Sequence, residues 1–304
     1  MAEEIDLMKI VLEIDEQLIQ KGVEPFQRPF HACLAIAERL VPHSAIPLDD
    51  PLFQGVNQIY RELYRPTVLH MPPMYIGAFM FRDVFFPLRV PVACGSPVIN
   101  PVDFLVDVSE LQKRWLFSDR EAGLTFFDQV IDVTDFVYAL DDLEKGGALP
   151  VETIEYWYLA KQQLEAAAAT LLGSFNKYAV TQNCCIGTEL LLKGALIAKG
   201  IEAKALKYKP YGHNFENLVN KTFELLPAID QARLLQIVKQ LPDYVNSRYE
   251  AKDISRLDLG RFLMNTQFAS GEILRQFSDR NCRAGFTTAP DDEWDLTLRT
   301  FPKK

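Results

Sequence analysis

The residues best suited to chemistry lie in one stretch of the chain, between positions 183 and 216. Glu189 and Lys193 stand four residues apart, so on a helix their side chains share one face, with the glutamate in the favourable N-terminal position. Taken alone, this spacing is typical of an ion pair on a helix surface, which contributes about 0.2–0.5 kcal/mol. The alternative is a carboxylate and an ammonium group that belong to a binding site.

A lysine-rich segment follows this predicted helix. Residues 199–211 contain four lysines and two tyrosines against the single acidic residue Glu202. Cations beside aromatic rings suit phosphates and stacked bases. Lys207, Lys209 and Tyr211 are therefore candidate ligand-binding residues, the alternative being an ordinary solvated loop.

A histidine and an arginine complete the set of candidates. His213 follows Gly212 at a predicted helix start, where backbone N–H groups and the helix dipole favour an anion. It can equally cap that helix or hold the loop by a hydrogen bond. Arg248 can bind a phosphate or pair with Glu189. The candidate ligand-binding residues are Glu189, Lys193, Lys207, Lys209, Tyr211, His213, Arg248 and Tyr249.

Long helices must position these side chains. Apolar residues recur at helical spacing through the second half of the chain, and the connecting segments are short. The helices predicted there are Glu152 to Phe175, Val180 to Lys199, His213 to Leu226, Asp230 to Leu241 and Ser255 to Phe277, with Ser255 as the cap of the last. This pattern predicts an antiparallel helical bundle.

The first half is predicted to be α-rich with a minor β component. Helical patterns cover Glu3 to Lys21, Phe30 to Val41 and Pro51 to Tyr64, the last with Asp50 as its predicted cap. They return at Ser109 to Phe117, Ala122 to Val130 and Asp132 to Glu144. Between them, prolines separate short β-favouring runs, which predicts a few short strands. We therefore expect a mainly α protein with a boundary at Gly146–Gly147, giving domains 1–147 and 148–280 and a tail at 281–304.

Composition and charge restrict the classes of function. The chain has 48% hydrophobic and 24% charged residues, as expected of a globular protein. Residues 1–145 hold 12 Lys and Arg against 23 Asp and Glu, a net charge of −11, so nucleic-acid contacts are expected only in the second half. The five cysteines lack CxxC spacing, and no zinc site, disulfide framework or cofactor motif is predicted. Without a signal peptide or membrane span, we expect a cytoplasmic protein.

The order of the motifs in the second half is more specific than any one of them. They read ELLLKGALIAKG on a helix, YGHNFENL at a helix start, and SRYEAKD before the last long helix. In this order, over about residues 150–278, the chain resembles the HEPN family of helical bundles. The resemblance implies nucleotide or RNA binding in a cleft, homodimerisation through the bundle, and a role in prokaryotic stress, toxin–antitoxin or phage-defence systems. It leaves the first half unassigned.

The same resemblance argues against catalysis. HEPN members that cut RNA carry an arginine followed four to six residues later by a histidine. His213 is the only histidine of the second half, and no arginine precedes it at that spacing. A non-catalytic nucleotide- or RNA-binding module is therefore the favoured interpretation. The alternatives are a metal-independent ribonuclease that uses His213, and a structural module that binds a protein partner.

Overall fold

The computed structural model describes residues 6–40, 50–93, 95, 99–242 and 254–287. The chain forms two compact units, Met1–Pro72 and Pro73–Lys304. The predicted mainly α fold with a few short strands is confirmed. Both units are built mainly of helices, and the two strands described in the second unit pair in an antiparallel sheet.

The first unit is helical. Its helices are α1 (Leu7–Gln20), α2 (Arg28–Leu40), α3 (Pro51–Leu63) and the single turn α4 (Pro66–Leu69). Asp50 caps α3 as predicted, since its carboxylate accepts from the Leu52 N–H at 2.8 Å and Pro51 occupies the first helical position.

A buried polar cluster joins the three longer helices of this unit. The Asp15 carboxylate accepts from the Tyr60 hydroxyl at 3.0 Å and from the Tyr64 hydroxyl at 2.5 Å. Arg28 donates to the Tyr64 hydroxyl at 3.1 Å. Burial and the neighbouring Asp15 raise the pKa of both tyrosines, so the phenols remain protonated donors.

The second unit combines a hairpin with a helical bundle. The strands are β1 (Tyr75–Phe81) and β2 (Val84–Val90). The helices are α5 (Glu110–Phe117), α6 (Arg120–Gly146), α7 (Val151–Leu172), α8 (Lys177–Ala198), α9 (Phe215–Leu225), α10 (Gln231–Gln240), α11 (Arg256–Leu274) and α12 (Cys282–Thr287), with 3-10 turns at Pro101–Phe104 and Ala205–Lys207. Two separate helical segments expected between 122 and 144 are one continuous helix, α6.

Side chains from the bundle complete the free edge of β1. Gln267 of α11 is fully buried and bonds to both backbone groups of Ala78, accepting from its N–H at 3.3 Å and donating to its C=O at 3.0 Å. Pro87 of β2 lies opposite Ala78. Because the backbone groups of Ala78 point to Gln267 instead of β2, a proline without an N–H is tolerated there.

The hairpin and α6 belong to the same compact unit as the bundle. The predicted boundary at Gly146–Gly147 lies within this unit, at the turn between α6 and α7, where Gly147 adopts a left-handed conformation with φ of 61°. One continuous core joins β1, α6, α7, α8 and α11, and its largest buried side chains include Trp157, Phe136 and Phe268.

Gly271 of α11 packs directly against the backbone of α6. A methyl group added there would lie 2.5 Å from the carbonyl oxygen of Asp132 and 2.9 Å from its Cα. Backbone atoms of a buried helix cannot move aside as a flexible side chain can. We therefore expect Gly271→Ala to lower the free energy of unfolding by about 1–3 kcal/mol, measured by urea unfolding and tryptophan fluorescence.

Gly146 is the matched control for this substitution. It ends α6, and an added methyl group would meet no atom within 4 Å. Gly146→Ala should leave stability unchanged or raise it by up to about 1 kcal/mol through helix propensity. Equal losses in both variants would show that the close approach of the two helices is not what limits position 271.

Candidate functional site

The centre of the candidate site is the buried carboxylate of Glu189 on α8. One of its oxygens lies 2.6 Å from the Lys193 ammonium nitrogen, and the other lies 2.9 Å from Nδ1 of His213. The side chains of Glu189 and Lys193 are only 8% and 7% exposed. The pair is therefore not the surface ion pair that its spacing typifies, but a buried pair with a histidine attached.

The loop before α9 carries His213 to this carboxylate. Helix α9 begins at Phe215, two residues later than predicted, and its cap is Asn214, which accepts from the Asn217 N–H at 2.9 Å. The Asn217 side chain in turn donates to the Pro210 carbonyl at 2.7 Å. His213 thus does not cap the helix. Its imidazole links the loop to α8, as the hydrogen-bonding alternative anticipated.

The hydrogen bond to Glu189 orients the imidazole. A carboxylate is only an acceptor, so the Nδ1 atom that faces it carries the proton. The His213 side chain remains 57% exposed. This combination, a buried carboxylate behind an accessible imidazole, fixes the ring in one orientation at the protein surface. It can position a hydrogen-bonding group for a ligand or for proton transfer.

Two aromatic residues that the sequence analysis did not select support α8. The pKa of the Tyr156 phenol on α7 is raised, mainly by burial and also by the negative charge of the nearby Glu189. Trp157 is fully buried and donates from its indole nitrogen to the Leu191 carbonyl at 3.2 Å. An added methyl group at Gly194 would lie 2.4 Å from this nitrogen, so α8 needs a glycine there.

A groove of about 1020 Å³ lies beside His213. One wall is the segment from Lys207 to Asn217, and the other is the C-terminal part of α10 with Pro242. Three lysines line it, Lys207, Lys209 and Lys239, against one carboxylate, Glu216, among the described lining residues. Its wall is therefore locally positive in a chain whose net charge is −9.

The structure brings four of the sequence-selected residues to this groove: Lys207, Lys209, Tyr211 and His213. Glu189 and Lys193 are not lining residues but lie behind His213. Arg248 and Tyr249 fall outside the described residues. Lys239 and Tyr208 also line the groove and were missed. Lys239 gave no signal because it lies on a different helix, whereas Tyr208 stands within the lysine-rich segment.

Within the part of the chain that the structure describes, no three His, Cys, Asp or Glu side chains are grouped so that they could hold a metal ion. None of the described helices combines the length and apolar character needed to cross a membrane. The groups available to a ligand at the site are lysine and tyrosine side chains, backbone N–H and C=O groups and the oriented imidazole of His213.

Comparisons with family models, with curated proteins and with solved structures found no match to this chain.

Proposed function

We propose that the second unit binds a phosphate-bearing ligand, a nucleotide or a short single-stranded RNA, in the groove between the 207–217 segment and α10. The observation that carries the proposal is the charge of this groove, where three lysines face one glutamate. Lysine ammonium groups are common phosphate ligands, and neutralising phosphates is the main source of affinity for nucleic acids.

The aromatic residues of the groove suit the remainder of such a ligand. Tyr208 is exposed and Tyr211 is partly buried against the core. Stacking of a base on an aromatic ring contributes about 1–3 kcal/mol and tolerates any base. The volume of about 1020 Å³ is at the upper end of small-molecule sites, which leaves room for more than one nucleotide.

In this proposal the groove and the buried pair have different roles. Lys207, Lys209 and Lys239 contact phosphate, and His213 donates or accepts a hydrogen bond at the wall. Lys193 does not touch the ligand but balances the charge of Glu189, which holds His213. The resemblance to the HEPN family supports the same ligand class. A homodimer and a stress, toxin–antitoxin or phage-defence role are proposed on that resemblance alone. A cytoplasmic location, expected from the sequence, is proposed as well.

The test is a titration of the full chain with a fluorescently labelled single-stranded RNA decamer and with ATP at several salt concentrations. We expect the variant Lys207→Ala/Lys209→Ala to bind about tenfold more weakly or worse. Removal of each lysine that contacts a phosphate should also make binding less dependent on salt, by about 0.7 in the slope of log K against log salt for single-stranded RNA.

Lys204 provides the matched control. It belongs to the same lysine-rich segment and is exposed, but it does not line the groove. Lys204→Ala should leave the affinity unchanged. Equal weakening by Lys204→Ala and by the groove variant would indicate that net charge alone attracts the ligand. Absence of binding by the wild-type chain to both probes would overturn the proposal.

The contact of 2.9 Å between Glu189 and Nδ1 of His213 supports a second candidate, metal-independent RNA cleavage with His213 as the acid–base group. The same titration distinguishes the two, because the RNA can be recovered in EDTA and sized on a denaturing gel. Intact RNA at high protein concentration supports binding alone. Fragments that disappear with His213→Ala would assign a ribonuclease instead.

A further inference from the structure

The first unit contains a second concave site, formed by residues between 26 and 70 of the chain. It is a trough of about 540 Å³ lined by residues of α2, α3 and the short helix α4. None of the residues that the structure describes in its lining is acidic. The volume falls within the range of about 300–1000 Å³ that is typical of small-molecule sites.

The floor of the trough is apolar. Cys33 of α2 and Phe53 of α3 are buried beneath it, and Phe26 and Phe30 form part of the wall. Burial raises the pKa of the Cys33 thiol to about 11, so this side chain is neutral near pH 7 and behaves as a small apolar group. Phe30 is among the exposed large hydrophobic residues of the chain. The floor therefore favours an aromatic or aliphatic body.

Apart from His70, which follows α4, the polar side chains among the described lining residues lie on α3. Phe53, Asn57 and Arg61 stand four residues apart on α3, so they follow one face of the helix from the apolar floor to a guanidinium group. Arg61 makes neither a hydrogen bond nor an ion pair within the described part of the chain, whereas Arg28 in the same unit bonds to the Val23 carbonyl and the Tyr64 hydroxyl.

We infer that this trough binds a small molecule with an apolar body and a single carboxylate group. The guanidinium of Arg61 is planar and can receive both carboxylate oxygens at once. Among the described lining residues it is the one permanently charged group, so it balances one negative charge. A phosphate dianion carries a second charge, for which the described lining residues offer no further permanent cation, beside an apolar floor, and this is unfavourable.

Calorimetric titration of the full chain tests the inference with a set of matched probes: 4-phenylbutyrate, 4-phenyl-1-butanol and phenyl phosphate. We expect 4-phenylbutyrate to bind most tightly. Arg61→Gln, which keeps the length of the side chain but removes the charge, should weaken that binding about tenfold or more. Phe30→Ala should weaken the carboxylate and the alcohol to a similar extent, because both use the apolar wall.

Arg39→Gln is the control, since Arg39 lies in the last turn of α2 and does not line the trough. It should leave the affinity for 4-phenylbutyrate unchanged. Because Arg39 and Arg61 are both exposed, neither change should alter thermal unfolding. The inference is overturned if no probe binds, if the alcohol binds as tightly as the carboxylate, if phenyl phosphate binds more tightly, or if Arg61→Gln behaves like Arg39→Gln.

Discussion

Replacement of Arg275 by methionine is expected to lower the free energy of unfolding by about 3–5 kcal/mol. Arg275 follows the last residue of α11, and its side chain is 4% exposed. Its guanidinium lies 2.8 Å from Asp132, 2.9 Å from Asp135 and 3.0 Å from Glu272. Methionine fills much of the same volume but removes the cation that these three carboxylates share, with Arg283, 3.5 Å from Asp132, as a more distant cation.

The protonation state of Arg275 supports this expectation. Burial acts to lower the pKa of its guanidinium, but the adjacent charges of Asp132, Glu272 and Asp135 act in the opposite direction and the net pKa is raised. The side chain is therefore a permanent cation. Because its charge cannot be removed by titration, the cluster depends on it at every pH where the protein is folded.

The cluster also joins elements that are distant in sequence. Glu272 accepts from the Asp230 N–H at 2.9 Å, at the start of α10. Asp135 accepts from the Cys282 N–H at 2.8 Å, and Arg283 of α12 pairs with Asp128 of α6. Four helices, α6, α10, α11 and α12, thus meet at one set of charges. Since α10 carries Lys239, the same cluster holds one wall of the proposed ligand groove.

Arg280→Met is the matched control for Arg275→Met. Arg280 also pairs with a carboxylate of α6, Asp142, at 2.5 Å, but the two side chains are 51% and 42% exposed. A pair so exposed contributes about 0–1 kcal/mol. Tryptophan fluorescence during urea unfolding reports on the second unit, to which all three tryptophans belong. Similar losses in the two variants would contradict the assignment of the cluster as a buried network.

Local sequence signals were sufficient for the helices. The apolar spacing of α7, α8 and α11 gave their extents to within a few residues, and two predicted caps, Asp50 and Ser255, accept the expected backbone hydrogen bonds. These features depend on neighbours in the chain, so a single sequence contains them. The predicted start of α9 was two residues too early, and this too was a local matter, because Asn214 is a better helix cap than His213.

Burial could not be predicted in the same way. Periodicity indicates which residues share a helix face, but not which element covers that face. In the sequence, the acidic residues of α6 only add to the negative charge of the first half. Their partner Arg275 stands 140 residues beyond Asp135, so the sequence does not indicate that these carboxylates are buried and paired. Lys239 joins the lysines of the groove only because α10 packs beside α9. The Arg275 cluster and the ligand groove both depend on contacts between segments that are distant in the sequence, and residue spacing does not predict such contacts.

The buried pair at the candidate site provides the second large effect. We expect Glu189→Gln to lower the free energy of unfolding by about 3–5 kcal/mol, because it leaves the Lys193 ammonium buried without a negative charge. Glutamine keeps the shape of the side chain and can still accept a hydrogen bond, so the loss reports on charge. Urea unfolding followed by tryptophan fluorescence measures it, as for Arg275→Met.

The pair of Asp141 and Lys145 on α6 is the matched control. It has the same spacing and the same 2.6 Å separation as Glu189 and Lys193, but its side chains are 29% and 71% exposed, against 8% and 7%. Asp141→Asn should therefore cost at most about 0.5 kcal/mol. If Asp141→Asn and Glu189→Gln cost the same, the pair at the site is not buried in solution.

A double variant separates the cost of an isolated charge from the value of the pair. Glu189→Leu/Lys193→Met replaces both charges with apolar groups of similar volume, and such replacements of buried pairs are often neutral or stabilising. We expect this variant to be more stable than Glu189→Gln alone, despite the second substitution. It also removes the carboxylate that orients His213. If RNA affinity falls in this stable variant, the pair acts on the ligand site through His213; if affinity is unchanged, Glu189 and Lys193 serve only the fold.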